Sequence, residues 1–177
     1  MSSILKVDEI QNTDGQSALV ITPDGSVDSI KFPEQSNPSG RTITSTTLSS
    51  FEQGTWNPEM VTGDARFLDA KYTKINSLVQ LRAIIDTITD RTSANNINIV
   101  NLPFTPRTDS EASVSVCMFR YVDIPTNYTN VVGYLNASGE ISFYFTGFDG
   151  NYQRMEHRNL SSINASLRVD FTYYTDE

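Results

Sequence analysis

The chain has 177 residues, of which 38% are hydrophobic and 19% are charged, and its formal net charge is −8. This acidic balance argues against binding to a nucleic-acid backbone, which needs clustered Lys and Arg side chains. The first residues, MSSILKVDEI, do not have the pattern of a common signal peptide, and no apolar run approaches the ~20 residues of a membrane helix. We therefore expect a protein made in a cytoplasm, with no nucleic-acid partner and no membrane insertion.

Residues 1–32 contain three short apolar clusters, ILKVDEI, ALVI and VDSIKF, which are separated by Asp-Gly pairs. Asp-Gly between apolar runs favours β-hairpins, and a lone hairpin is only marginally stable in water. We therefore predict a short N-terminal β-hairpin segment that docks on the next domain, on a second copy or on another protein. The residues assigned to this assembly role are Ile4, Leu5, Val7, Ile10, Leu19, Val20 and Ile21.

The composition changes twice in the next part of the chain. Residues 33–50 are rich in Pro, Gly, Ser and Thr and predict an extended linker. From residue 51 to residue 177, short apolar runs are separated by frequent turns, such as the tight turn expected at Asn76-Ser77. No stretch has a helical period with capping residues. We predict seven to nine antiparallel strands, arranged as a β-sandwich or jelly roll.

The C-terminal run SINASLRVDFTYYTDE has the clearest strand pattern. Six apolar or aromatic residues alternate strictly with their neighbours, which predicts one long strand over residues 163–175 with a buried face and a wet face. The residues expected on the buried face are Ile163, Ala165, Leu167, Val169, Phe171 and Tyr173.

The stretch FEQGTWNPEM contains Trp56, the only tryptophan of the chain. Two roles compete for this side chain: a packing residue that closes one end of the sandwich, or a platform on which a sugar stacks. Large aromatic residues are usually packing residues. Pro58 cannot donate a hydrogen bond to a central strand, so it also favours a place at the sheet edge. We therefore favour the packing role.

Residues that could carry chemistry are few. The chain has one histidine, His157, which we expect in a polar loop, and one cysteine, Cys117, which we expect to be a small packed residue. Carboxylate pairs such as Asp86 with Asp90 are not placed in one pocket by the sequence. The turns TPDGSVD and GFDGNYQ are rich in oxygen ligands, but neither matches a complete calcium loop. We predict a protein without enzymatic activity and without a cofactor or metal.

The stretch FYFTGFDGNY is an aromatic cluster. Alternation predicts that Phe143 and Phe145 point into the core, that Tyr144 faces away, and that Phe148 and Tyr152 lie on a loop. Exposed aromatic side chains on a rigid scaffold are suited to binding, so Tyr144, Phe148 and Tyr152 are candidate contacts for a host glycan or protein. A contact between subunits, or an anchor for the loop, explains the same residues equally well.

Several stretches together resemble a domain that recurs in structural proteins of tailed phages. FEQGTWNPEM, AKYTKINSLVQLRAII, INIVNLPF and LRVDFTYYT resemble an F-E-x-G-T-W-x-P motif followed by Y-T-K-I-G-x-L-V and later by L-P-F. Asn76 stands where that domain usually has Gly, and Asn tolerates a positive φ. The opening ILKVDEIQNTDGQ resembles N-terminal segments of structural proteins of marine, cyanophage-like viruses.

The resemblance implies a non-enzymatic virion protein, namely a short tail fibre or receptor-binding appendage that contacts the host surface. It also implies a homotrimer whose N-terminal segment docks on a tail, portal or capsid protein. A capsid decoration protein is the alternative that the sequence does not separate from this one. A glycan-degrading enzyme is disfavoured, because the chain is short and has no recognisable catalytic set.

Overall fold

The computed structural model describes residues 9–11, 17–21, 27–31, 47–48, 50–109, 111–148 and 150–177. The chain divides into two compact units, Met1–Glu52 and Gln53–Glu177. In the described ranges the regular structure is β-strand, apart from one 3-10 turn at His157–Asn159. The all-β prediction is therefore confirmed. No helix in these ranges is long and apolar enough to cross a membrane.

The N-terminal unit contains a four-stranded antiparallel sheet. Its strands pair in chain order, β1 (Glu9–Gln11), β2 (Ser17–Ile21), β3 (Val27–Lys31) and β4 (Thr47–Leu48). The connections that carry the two Asp-Gly pairs lie outside the described residues. β4 falls inside the range predicted as a linker, so this end of the linker belongs to the sheet. The division of the chain into docking segment, linker and sandwich stays a prediction.

A ten-stranded antiparallel sheet follows. Its strands are β5 (Phe51–Thr55), β6 (Glu59–Met60), β7 (Arg66–Ile75), β8 (Leu78–Asp86), β9 (Asn98–Val100), β10 (Ala112–Arg120), β11 (Tyr128–Leu135), β12 (Ile141–Gly147), β13 (Tyr152–Arg154) and β14 (Ser166–Tyr174). The order across the sheet is β5-β7-β8-β14-β10-β11-β12-β9-β6, with β13 beside β12. The three shortest strands, β6, β9 and β13, raise the number above the seven to nine expected.

β10 connects the two halves of this sheet. Its first part, Ala112–Val114, pairs with β11, and its later part, Ser115–Arg120, pairs with β14. A register shift against β14 makes Cys117 the extra residue of a β-bulge, and a strand that changes partners at a bulge bends the sheet. Cys117 is exposed, so its predicted packing role is wrong. The bulge takes this residue out of the alternation, and its Sγ lies 3.5 Å from the Arg168 carbonyl oxygen.

The two halves enclose one hydrophobic core. Phe143 and Phe145 of β12 are buried in it, as predicted. The core also receives alternate residues of β8, β14 and β11, which explains why these strands have one apolar face. Its largest fully buried side chains are Tyr173, Phe143, Phe145, Leu81, Ile85, Ile88, Ile97, Ile99, Leu135, Ile141, Met155 and Leu167.

β14 confirms the C-terminal strand and corrects its beginning. Leu167, Val169 and Phe171 are buried, while Arg168 and Asp170 between them are exposed, as the alternation predicts. Ile163 was expected in the core but is 46% exposed. The alternation does not extend back to this residue, because it precedes the first residue of the strand and lies in a turn in which the amide of residue 165 bonds the carbonyl of residue 162.

Two short turns set the register of the long hairpins. Asn76 has φ 51° between Ile75 and Leu78, which confirms the predicted tight turn with a positive φ. In the NASG loop, the Asn136 side-chain oxygen accepts hydrogen bonds from the backbone amides of Ser138 and Glu140. These turns fix which residues of neighbouring strands lie opposite each other.

Candidate binding surface

A groove of about 450 Å³ lies against the outer face of β11, β12 and β13. The side chains that line it are Val132, Tyr134, Tyr144, Thr146 and Tyr152. In β11 and β12 these residues alternate with buried ones, such as Val131 and Phe145, that point into the core. The groove therefore rests on strands whose other face is held by the core, which makes its base rigid.

Strand register brings the lining residues together. Val132 of β11 lies opposite Tyr144 of β12, and Tyr144 lies opposite Arg154 of β13. Thr146 of β12 lies opposite Tyr152. Directly opposed residues of antiparallel strands share a face, so three strands contribute to one continuous surface.

Two of the aromatic rings form perpendicular walls. The ring centroids of Tyr144 and Tyr152 are 5.5 Å apart, and their planes meet at 83°. This edge-to-face contact is a favourable arrangement for two aromatic rings. Tyr152 is 71% exposed, so its ring is open to solvent as well as to its neighbour.

A carboxylate lies beside the third ring. The Tyr134 hydroxyl is hydrogen-bonded to Glu111, and this bond together with partial desolvation raises the pKa of the tyrosine above its ordinary value. The raised pKa keeps the Tyr134 phenol neutral, and the exposed Glu111 side chain lies at its hydroxyl.

The structure gathers part of the predicted contact set. Tyr144 and Tyr152 line the same groove, and Tyr152 lies in β13 and not on a loop as predicted. Phe148 is 86% exposed on the loop after β12 and is not part of the lining. Their role as ligand contacts stays a prediction. Sequence reasoning missed Val132 and Tyr134, although the alternation in NVVGYL and the short NASG loop together carried the signal that pairs β11 with β12.

The N-terminal sheet carries a row of aliphatic residues. Ile10, Leu19, Ile30 and Leu48 lie opposite one another across its four strands. Ile10 is 50% exposed and Ile30 is 38% exposed. Of the other assembly candidates, Val20 and Ile21 belong to β2, while Ile4, Leu5 and Val7 lie outside the described residues. Their assembly role stays a prediction.

Trp56 is a packing residue and not an open platform, because it is only 7% exposed. Its Nε1–H donates to the Arg82 carbonyl oxygen at 3.2 Å, and its backbone N–H donates to the Ala70 carbonyl oxygen at 3.2 Å. Ala70 lies where the register between β7 and β8 shifts, so the ladder is interrupted there. The indole thus supplies a hydrogen bond at the bulge and covers the core beside it. β5, which precedes it, is an edge strand, as predicted.

His157 is fully buried, so its predicted place in a polar loop is wrong. Its Nδ1 lies 3.1 Å from the Asp90 carbonyl oxygen, which can accept a hydrogen bond from it. Its backbone amide donates to the Asn95 carbonyl oxygen. Gly63 passes so close that an added Cβ would lie 3.2 Å from His157 Cε1. The imidazole is therefore hydrogen-bonded to the chain at Asp90 and packs closely against the chain at Gly63.

The carboxylates with shifted pKa values are held ionised by their neighbours. A hydrogen bond from Ser93 lowers the pKa of Asp90 to about 2, and the Arg66 guanidinium lowers that of Asp86. Lys71, ahead of Arg82, does the same for Asp69. A general acid for glycoside cleavage needs a raised pKa, so none of these three carboxyls suits that role.

A second, polar cavity of about 290 Å³ lies against β5, β7 and β8 and includes Lys71 and Arg82. Both cations pair with Asp69, at 2.8 and 3.3 Å, so their charges are locally compensated. Within the described ranges no group of three or more His, Cys, Asp or Glu side chains is placed to hold a metal ion. Both Asp-Gly turns considered for calcium include residues outside those ranges.

Neither a protein-family model nor a curated protein matches the chain. Among solved structures, the chain is similar to the crystal structure of the Dettilon tailspike protein, with a TM-score of 0.55 and 11% sequence identity. The similarity covers 70% of this chain but only 24% of the tailspike chain. At this identity the comparison shows a shared fold, and the matched region is about a quarter of the larger protein.

Proposed function

We propose that the chain is a non-enzymatic structural component of a phage tail appendage and that its aromatic groove contacts the host surface. The exposed groove on β11, β12 and β13 carries this proposal. Its rings are held by strands that pack on the core, so binding costs little conformational entropy. The fold shared with a tailspike protein supports a place in a tail appendage, as does the resemblance of the FEQGTWNPEM motif.

The position of the protein on the particle tests this proposal most directly. Immunogold labelling of intact virions with antibodies against the chain should place gold at the tail. Gold distributed over the shell would contradict the proposal and favour a capsid decoration protein. Gold-free particles would exclude a virion role altogether.

Host contact is tested by competition. The purified full-length protein should slow adsorption of the phage to its host, because it occupies the receptor. A variant with Tyr144→Ala and Tyr152→Ala should lose this effect. Tyr121→Ala is the matched control, since it removes an exposed aromatic ring that is neither in the groove nor among the predicted contacts, and it should compete like the wild type. Equal competition by the double variant would exclude the groove as the contact.

The N-terminal sheet is proposed as the element that docks on a neighbouring virion protein or joins three copies of this chain. The exposed Ile10 and Ile30 support this role, because aliphatic side chains at an unshielded surface gain free energy when they are covered. Ile10→Ser with Ile30→Ser should reduce incorporation into particles, and light scattering of the purified protein should show a shift from trimer to monomer. Unchanged incorporation and mass would contradict the assembly role.

A further inference from the structure

The groove combines aromatic faces with two opposite charges beside it, Glu111 at Tyr134 and Arg154 opposite Tyr144. Tyr134, Tyr144 and Tyr152 supply the rings, and Val132 adds an aliphatic surface. The Glu111 carboxylate is hydrogen-bonded to the Tyr134 hydroxyl. The charges of Glu111 and Arg154 offset each other, so the preference for a cation over an anion comes from the electron-rich aromatic faces.

The groove rings are free of basic side chains over their faces. In the described part of the chain, the cation–π contacts are Lys74 over Phe104 and Arg120 over Tyr121, both outside the groove. The perpendicular placement of Tyr144 against Tyr152 presents two differently oriented ring surfaces to a single guest. A rounded cation can touch both at once, whereas a flat guest can stack on only one.

We propose that this groove binds an alkylated ammonium group, such as the trimethylammonium head of a choline-type ligand. A primary ammonium or a metal ion is strongly hydrated and would lose that water on entering an aromatic, aliphatic lining. An alkylated ammonium is weakly hydrated, and its methyl groups bury apolar surface while its charge attracts the ring faces. The inference rests on the proposed function only for the source of the ligand, which would be the host surface.

Arg154 opposes this binding, so replacing it tests the inference directly. It lies opposite Tyr144 on the same face of the sheet, so its charge repels a cation in the groove. Glu111 acts in the other direction from the opposite side. Removing each charge should therefore change the affinity for a cation in opposite senses, while a neutral guest of the same shape should respond to neither.

The test is an NMR titration of the full-length protein with choline and with 3,3-dimethyl-1-butanol, its neutral isostere. Choline should bind in about the millimolar range and about tenfold more tightly than the isostere, since the charge adds the cation–π contribution. Equal affinities would show a purely apolar pocket and overturn the inference. The inference would also be overturned if choline caused no saturable change in chemical shift, or if the neutral sugar maltohexaose bound and choline did not.

Five variants complete the test. Glu111→Gln should weaken choline binding severalfold, and Arg154→Gln should strengthen it; both side chains are exposed, so the fold should tolerate the change. Tyr144→Leu should weaken binding while Tyr144→Phe preserves it. Tyr121→Ala, which removes an exposed aromatic ring outside the groove, should leave choline binding unchanged, and a loss there equal to that of Tyr144→Leu would contradict the site. Choline binding is measured on purified protein, so its failure leaves the tail location and the adsorption result untouched.

Discussion

Replacing Trp56 with alanine should destabilise the C-terminal unit by about 3–5 kcal/mol, the range for deleting a large core aromatic. The indole is 93% shielded from solvent, since its exposed fraction is 7%. A buried aromatic covers about 150–250 Å², which at ~25 cal/mol per Å² amounts to about 4–6 kcal/mol before the retained Cβ is subtracted. The Nε1–H bond to the Arg82 carbonyl adds about 1 kcal/mol.

Trp56→Phe separates the two contributions. Phenylalanine keeps most of the buried ring but leaves the Arg82 carbonyl oxygen without this donor, so we expect a loss of about 1–2 kcal/mol. Both variants should be followed by urea unfolding with circular dichroism, because the fluorescent side chain is lost. A change below about 1 kcal/mol for the alanine variant would refute the packing role. Equal losses in both variants would show that the hydrogen bond, and not the volume, dominates.

Four further outcomes are expected. Val169→Asp should cost at least ~3 kcal/mol or abolish folding in urea unfolding, because Val169 is 3% exposed and its replacement buries an unpaired charge. Gly133→Ala should lower the melting temperature, since an added Cβ would lie 2.6 Å from the Val114 Cβ; unchanged melting would mean that β10 and β11 can separate freely. The hydrogen bond from Ser93 lowers the Asp90 pKa from 3.8 to about 2. The ionised Asp90 carboxylate therefore contributes to the free energy of unfolding above pH 3.8, and this contribution is lost as the pH falls towards 2. Asp90→Asn should flatten the stability profile in that window and leave the profile above it unchanged in slope. EDTA should not change the melting temperature, and a decrease that calcium reverses would identify a metal site.

Alternation was the strongest guide to the fold. It placed Leu167, Val169 and Phe171 in the core because successive side chains of a strand point to opposite faces of the sheet and one face packs on the core. It failed at Ile163, which continues the pattern in sequence although the strand begins only at Ser166. Residue pattern does not mark where pairing with β8 and β10 stops, because that depends on which partner residues are within reach.

The groove was predictable only in part, for a related reason. Alternation within β12 correctly predicted that Tyr144 points away from the core. Tyr134 and Val132 joined it through the register of β11, which a single strand does not reveal. His157 and Cys117 were misplaced because their burial depends on distant loops and on a bulge. Such contacts leave no local signal in the sequence.

The path through Trp56 also brings two edges of the sheet close together. β5 and β6 are the first and last strands of the order, yet Thr55 and Glu59 are separated by only three residues. Four Cα–Cα steps span at most ~14 Å, so at this end the two edges of the sheet lie close together. Strands pack about 4.8 Å apart, so at most two foreign strands fit into that gap. The course of the chain therefore limits how many foreign strands can enter between β5 and β6 at this end.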